Sequence, residues 1–233
     1  MRKHRAILTA LTLFFSSMSL EAGDKPVAHT PRVVEGWTIR VDDRLLQPAC
    51  KDQLGQAIRF LEAKLADIKR VVPPEKVTRL QKMVIVLDQS HGNLKSMQYH
   101  PSAAWLKENG YSTALEKCVH LPRVGDVATR RNTNEQPWVI LHELAHAYHD
   151  QVLGFEEPRV KEAFENYKKS GRGEKTLLFN GQRVRHYALT NHKEFFAEMT
   201  EAYFGVNDFF PFTRAELQES EPAIFALLKH IWG

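Results

Sequence analysis

The sequence predicts one domain of the α+β class, and three observations lead to that prediction. Strand-like segments are concentrated in the first half of the 233-residue chain, at residues 33–41, 83–87 and 115–121. Segments with helical periodicity dominate the second half. A chain of this length with 43% apolar residues can bury one substantial core. We therefore expect a single domain over residues 33–233.

The first half contains the predicted strands and one long predicted helix. Residues 33–41 are rich in β-branched side chains and are followed by two turn-forming aspartates. Apolar residues recur every three or four positions over 54–68, before a proline pair, which predicts a helix. Residues 83–87 are continuously apolar, as expected for a strand that is buried on both faces. The segment 115–121 predicts a further strand.

The second half is predicted to be mainly helical. Pro137 suits the first turn of a helix and Gly154 suits its C-terminal cap, which predicts a helix over 137–152. The Asn-Gly pair at 180–181 predicts a tight β-hairpin, because both residues tolerate a positive φ. Apolar spacing predicts three further helices, at 159–170, 191–204 and 221–232.

The first 22 residues have the zones of a secretory signal peptide, namely a basic start, an apolar stretch and a small-residue end. We expect cleavage after Ala22, with Ser19 as the alternative site. The apolar stretch is too short to span a bilayer. Residues 23–32 contain two prolines and no apolar periodicity, which predicts a flexible N-terminus of the mature protein. A secreted or periplasmic protein without a membrane anchor is therefore expected.

The charge balance argues against nucleic acid as a partner. The chain has 32 basic and 28 acidic residues, and removal of the leader leaves 29 basic and 27 acidic residues, a net charge of +2. The basic residues do not cluster into a stripe with exposed aromatic side chains.

The two cysteines, Cys50 and Cys118, would enter an oxidising compartment after export. This favours a disulfide that closes a long loop, and two buried thiols are the alternative. Neither residue belongs to a metal-binding CxxC pair.

An HExxH motif, formed by His142, Glu143 and His146, lies inside the helix predicted over 137–152. Residues four apart share a helix face, so both imidazoles can bind one metal ion. Zinc accepts nitrogen and oxygen ligands in a tetrahedron, and a catalytic site leaves one position to water, which Glu143 can reach. Two solvated histidines on a surface helix are the alternative, but the apolar residues around the motif indicate a buried helix. A catalytic zinc ion is therefore expected.

A third ligand is expected from residues 191–204. Glu194 and Glu198 share a helix face, so one can bind zinc while the other accepts the outer N–H of a ligating imidazole. Glu194 also has the spacing of a capping box with Asn191, and both roles can hold together. His149 is interpreted as an ordinary exposed or hydrogen-bonded residue, because a third ligand from the same helix makes a poor tetrahedron. The histidines that compete for the ligand role are His149, His186 and His192.

The segments HELAHAYHD and RHYALTNHKEFFAEMTEAYFG resemble the gluzincin clan of zinc peptidases, and within it the anthrax lethal factor and Pro-Pro endopeptidase family. The resemblance implies that Glu194 is the third zinc ligand, that Glu198 supports the ligands from outside and that Glu143 is the general base. It also implies that Tyr187 supports the oxyanion. The implied fold is a zincin-like metallopeptidase domain with a small twisted N-terminal sheet, a mainly helical C-terminal lobe and the zinc site between them.

Together these features predict a secreted zinc-dependent endopeptidase with one zinc ion per chain and a peptide or protein as its substrate. Tyr187 has an alternative interpretation, as a tyrosine packed in the core on a strand. The first half of the chain matches no motif of the family, so the resemblance assigns no cleavage preference. The alternative function is a secreted zinc-containing binding protein without hydrolytic activity, against which the intact motif argues.

Overall fold

The structure, a computed structural model, describes residues 24–233, so the expected signal peptide at 1–22 lies outside the described residues. The described chain forms a five-stranded sheet, a two-stranded sheet and eight α-helices. The strands are β1 (His29–Val34), β2 (Trp37–Asp42), β3 (Ile85–Leu87), β4 (Gln98–Tyr99), β5 (Val119–Leu121), β6 (Thr176–Leu177) and β7 (Arg183–Val184). The helices are α1 (Lys51–Val71), α2 (Pro74–Leu80), α3 (Ala103–Glu108), α4 (Val139–Tyr148), α5 (Pro158–Ser170), α6 (His192–Phe204), α7 (Arg214–Ser220) and α8 (Pro222–Trp232).

The main sheet is mixed and has the strand order β1-β2-β3-β5-β4. Strands β2, β3 and β5 are parallel to one another, while β1 and β4 run antiparallel at the two edges. All three residues of β3 are buried, which confirms the prediction of a central strand within 83–87. The strand predicted over 115–121 is present but begins only at Val119.

The segment predicted as one strand over 33–41 is a hairpin, because the chain reverses at Glu35 and Gly36. Both residues have positive φ, 51° and 95°, and a Cβ at Gly36 would lie 2.2 Å from the side-chain nitrogen of Gln81. A glycine is therefore needed at this turn. Strand β1 begins at His29 and pairs with β2. Residues 29–32, which belong to the segment expected to be flexible, are therefore part of the sheet.

The long helices agree with the sequence prediction. Helix α4 is shorter than the predicted 137–152 and continues as a π-helical turn to Leu153, before Gly154 at φ 83°. The predicted hairpin at 180–181 joins β6 and β7. Four elements were not predicted, because each is too short to show a clear period: α2, α3, α7 and β4. Within residues 24–233, no helix has both the length and the apolar character needed to cross a membrane.

The two cysteines are free thiols, so the expected disulfide is wrong and the alternative holds. Cys50 belongs to the main apolar core, whereas Cys118 belongs to a small separate cluster beside Val86. The Cys118 sulfur accepts a hydrogen bond from Arg40 at 3.0 Å. Burial raises the pKa of the Cys118 thiol.

Candidate metal centre

Two packed helices, α4 and α6, bring the predicted metal ligands together. Helix α4 supplies His142 and His146, which are both buried, and α6 supplies Glu194 from its first turn. The side chain of Asn191 caps α6 by accepting hydrogen bonds from the backbone N–H groups of Lys193 and Glu194 at 2.9 and 3.0 Å. The Glu194 carboxylate faces the histidines, so only half of the capping box forms.

Three ligand atoms form a nearly equilateral triangle at this centre. The Nε2 atoms of His142 and His146 are 3.1 Å apart. The Oε2 atom of Glu194 is 3.2 Å from each of them. Ligand atoms around a tetrahedral zinc ion with bonds of about 2.0–2.1 Å are separated by about 3.3 Å. The donor set and its spacing therefore fit a zinc ion.

The ionised forms of Glu194 and of His142 stabilise each other. Burial acts to raise the pKa of the Glu194 carboxyl, but its hydrogen bonds with His142 and His146 outweigh burial and hold that pKa below its usual range. Burial acts to lower the pKa of His142, but the hydrogen bonds to Glu194 and Glu201 outweigh it and raise that pKa well above its usual range. The carboxylates thus favour a positive charge between these side chains.

The outer partner of His142 is Glu201, which corrects the expectation for Glu198. The Nδ1 atom of His142 lies 2.7 Å from Oε1 of Glu201 but 3.8 Å from Oε1 of Glu198. Only the shorter distance is a hydrogen bond. Burial raises the pKa of both Glu198 and Glu201, and the hydrogen bond with His142 counteracts this at Glu201. Glu201 was missed although it lies seven residues after Glu194 on the same face of α6.

Glu143 and Tyr187 line the same cleft as the three ligands, a cavity of about 1150 Å³. Tyr187 is 48% exposed, so the alternative of a tyrosine packed in the core is wrong. It begins a short 3-10 turn, where the Nδ1 atom of His186 accepts a hydrogen bond from the backbone N–H of Ala188 at 3.1 Å. Burial and the nearby charge of Glu194 raise the pKa of Tyr187, so its phenol stays protonated and able to donate.

The three competing histidines are not part of the triangle. His149 is fully buried and packs against Phe155 and Phe196. Neither ring nitrogen of His149 has a hydrogen-bond partner in the described structure, so the expectation of an exposed or hydrogen-bonded residue is wrong. The Nε2 atom of His192 lies 2.9 Å from the carbonyl oxygen of Phe155. His186 is buried and is the N-cap residue of the turn that begins at Tyr187.

The last strand of the main sheet, β4, forms part of the wall of the cleft. Phe179, which is 46% exposed, lines the cleft together with Asp208 and Phe209 from the loop after α6. The cleft therefore combines a strand edge, exposed aromatic rings and the metal-ligand triangle.

This site is a candidate transition-metal centre. It combines two histidines and a carboxylate on packed helices with a further glutamate in an open cleft. A family model described as anthrax toxin lethal factor, N- and C-terminal domain, matches residues 105–231, which is more than half of the chain. The chain belongs to this family. No curated protein and no solved structure matches the chain. The matched segment contains both helices that carry the triangle.

Proposed function

We propose that the chain is an exported zinc-dependent endopeptidase of the gluzincin type with a zincin-like fold. The observation that carries this proposal is the triangle of His142, His146 and Glu194, whose ligand atoms are 3.1–3.2 Å apart beside Glu143. These three side chains would hold the zinc ion. When bound there, zinc would supply an acidified water molecule and polarise the scissile carbonyl.

The protein would contribute proton transfer and support of the oxyanion. The Glu143 carboxylate would accept a proton from the attacking water and deliver it to the leaving amine. The protonated phenol of Tyr187, which lines the same cleft, would donate a hydrogen bond to the oxyanion. Glu201 would hold the ring of His142 in the orientation that presents Nε2 to the ion.

A peptide or protein segment is the substrate class that best suits the cleft. Strand β4 is the outermost strand on its side of the sheet and borders the cleft, so an extended peptide can pair with its backbone. Backbone pairing would place a peptide bond of the substrate next to the triangle. This pairing would depend little on the substrate's side chains. The exposed ring of Phe179 would then contact a substrate side chain.

The test compares the mature protein with Glu143→Gln and with Glu135→Gln, a control that removes another carboxylate from the wall of the cleft. We expect Glu143→Gln to lower the cleavage rate on a mixed peptide library by at least about a hundredfold. Its zinc content, measured by mass spectrometry, should equal that of wild type, because Glu143 is not a ligand. Glu135→Gln should retain both properties.

Wild-type cleavage rates in Glu143→Gln would contradict the assignment of the base. Zinc in both proteins without cleavage by either would instead favour the zinc-containing binding protein. Glu194→Ala should lose the ion of this centre, and unchanged zinc binding by that variant would remove Glu194 from the ligand set.

A further inference from the structure

A second group of side chains that could hold a metal ion lies at the end of β3 and on β5, and none of them lines the cleft within the described structure. Asp88 follows β3 directly, His91 lies in the turn three residues later and His120 is the middle residue of β5. The three residues are 0%, 3% and 0% exposed. Strands β3 and β5 are neighbours in parallel register, which brings these distant segments together.

The ligand atoms of this group converge on one carboxylate oxygen. Oδ2 of Asp88 lies 2.5 Å from Nδ1 of His91 and 2.8 Å from Nε2 of His120. These are hydrogen-bond distances, and a tetrahedral zinc ion needs about 3.3 Å between ligand atoms. An ion would replace the protons between these atoms, and Oδ2 of Asp88 would move away from each of the two imidazole nitrogens by less than about 1 Å to accept it.

We propose that Asp88, His91 and His120 form a second zinc site, which has a structural role and is separate from the centre on α4 and α6. Two imidazole nitrogens and one carboxylate oxygen are a donor set that suits zinc. The ion would join β3, the turn that follows it and β5. It would be additional to the single zinc ion expected from the sequence.

The charge of the group supports a bound cation. The Asp88 carboxylate is fully buried and lies within hydrogen-bond distance of His29, His91 and His120. Within residues 24–233, Asp88 forms ion-pair contacts only with histidines. A buried carboxylate is costly without a compensating positive charge, which a zinc ion would provide.

Further histidines orient the ligands from outside. The Nε2 atom of His29 lies 2.7 Å from Oδ1 of Asp88, so it can donate to that oxygen while Oδ2 faces the other two ligands. The Nδ1 atom of His120 lies 3.0 Å from Nε2 of His100. In the tautomer that leaves Nε2 free for the ion, His120 can donate from Nδ1 to His100. Outer hydrogen bonds of this kind are typical of metal-ligating side chains.

The test uses a chain from which the centre on α4 and α6 has been removed by the double substitution His142→Ala and His146→Ala. This background protein is saturated with zinc, freed of loose metal on a weak chelating resin and analysed by mass spectrometry. We expect it to retain about one zinc ion per chain, and zinc should raise its unfolding midpoint. Because the ligands of the proposed active site are absent, the result does not depend on the proposed peptidase function.

Two further substitutions in the same background locate the ion. His91→Ala should reduce the retained zinc to less than about a tenth of an ion per chain and remove the effect of zinc on the unfolding midpoint. His149→Phe is the matched control, since it changes a buried histidine outside the group, and it should retain the ion. A background protein that retains no zinc and shows no change of midpoint would overturn the proposal. Retention by His91→Ala equal to that of the background protein would also overturn it.

Discussion

Replacing Glu201 with glutamine should weaken zinc binding at the centre on α4 and α6 far more than replacing Glu198 does. Oε1 of Glu201 lies 2.7 Å from Nδ1 of His142, and both side chains are buried. Glutamine keeps an acceptor oxygen but loses the charge that increases the basicity of the imidazole.

The expected loss follows from the position of this hydrogen bond. Removing an outer partner of a metal-bound histidine lowers metal affinity by about 10- to 100-fold, or about 1.4–2.8 kcal/mol. Glu198 lies 3.8 Å from the same nitrogen, too far for a hydrogen bond. Burial raises the pKa of Glu198 well above its usual range, which favours the neutral carboxyl that glutamine resembles. Glu198→Gln should therefore change zinc affinity by well under about tenfold.

The assay measures peptide cleavage at a series of buffered free zinc concentrations, because cleavage reports this centre alone. The zinc concentration for half-maximal activity should rise by about 10- to 100-fold for Glu201→Gln. Circular dichroism should show that each variant remains folded. If Glu198→Gln causes the larger shift, the assignment of the outer partner to Glu201 is refuted.

Two further predictions concern the cleft and the packing behind α4. Asp150→Asn should raise KM several-fold without changing zinc content. Tyr99 of the edge strand β4 donates a hydrogen bond to Asp150 at 2.6 Å, and this contact would position the strand that binds the peptide. An unchanged KM would show that the contact does not position the strand. Gly205→Ala should lower the free energy of unfolding by about 1–3 kcal/mol in urea titrations. Its Cβ would lie 2.0 Å from the Trp138 ring, whereas Gly125→Ala has no neighbour within 4 Å and is the matched control.

The elements that were predicted well are those whose pattern is long enough to repeat. Helix α1 repeats its apolar spacing through several turns, and α6 is predicted in the same way, whereas α4 is predicted from Pro137 and Gly154 at its two ends. Helix α7 and strand β4 contain too few residues for a period to emerge. The turn at Glu35 and Gly36 was missed, because a single glycine inside a strand-like pattern does not indicate on its own where the chain reverses.

Part of the candidate site could be predicted because its geometry is local. His142 and His146 are one helical turn apart, so they share a face wherever α4 packs. Glu194 and Glu201 also share a helix face, but which of the carboxylates reaches which imidazole depends on how α6 lies against α4. The resemblance to a peptidase family identified Glu194, whereas Glu201 was found only in the structure.

Local sequence patterns indicated the residue types of the candidate metal centre, the helices that carry them and the strand at the middle of the sheet. Tertiary structure alone decided that both cysteines are free and that Asp88 meets His29, which lies 59 residues away. Helix and strand patterns arise from backbone geometry within a few turns, so the local sequence encodes them. Contacts between distant residues depend on strand order and on packing of the whole core, which no local pattern specifies.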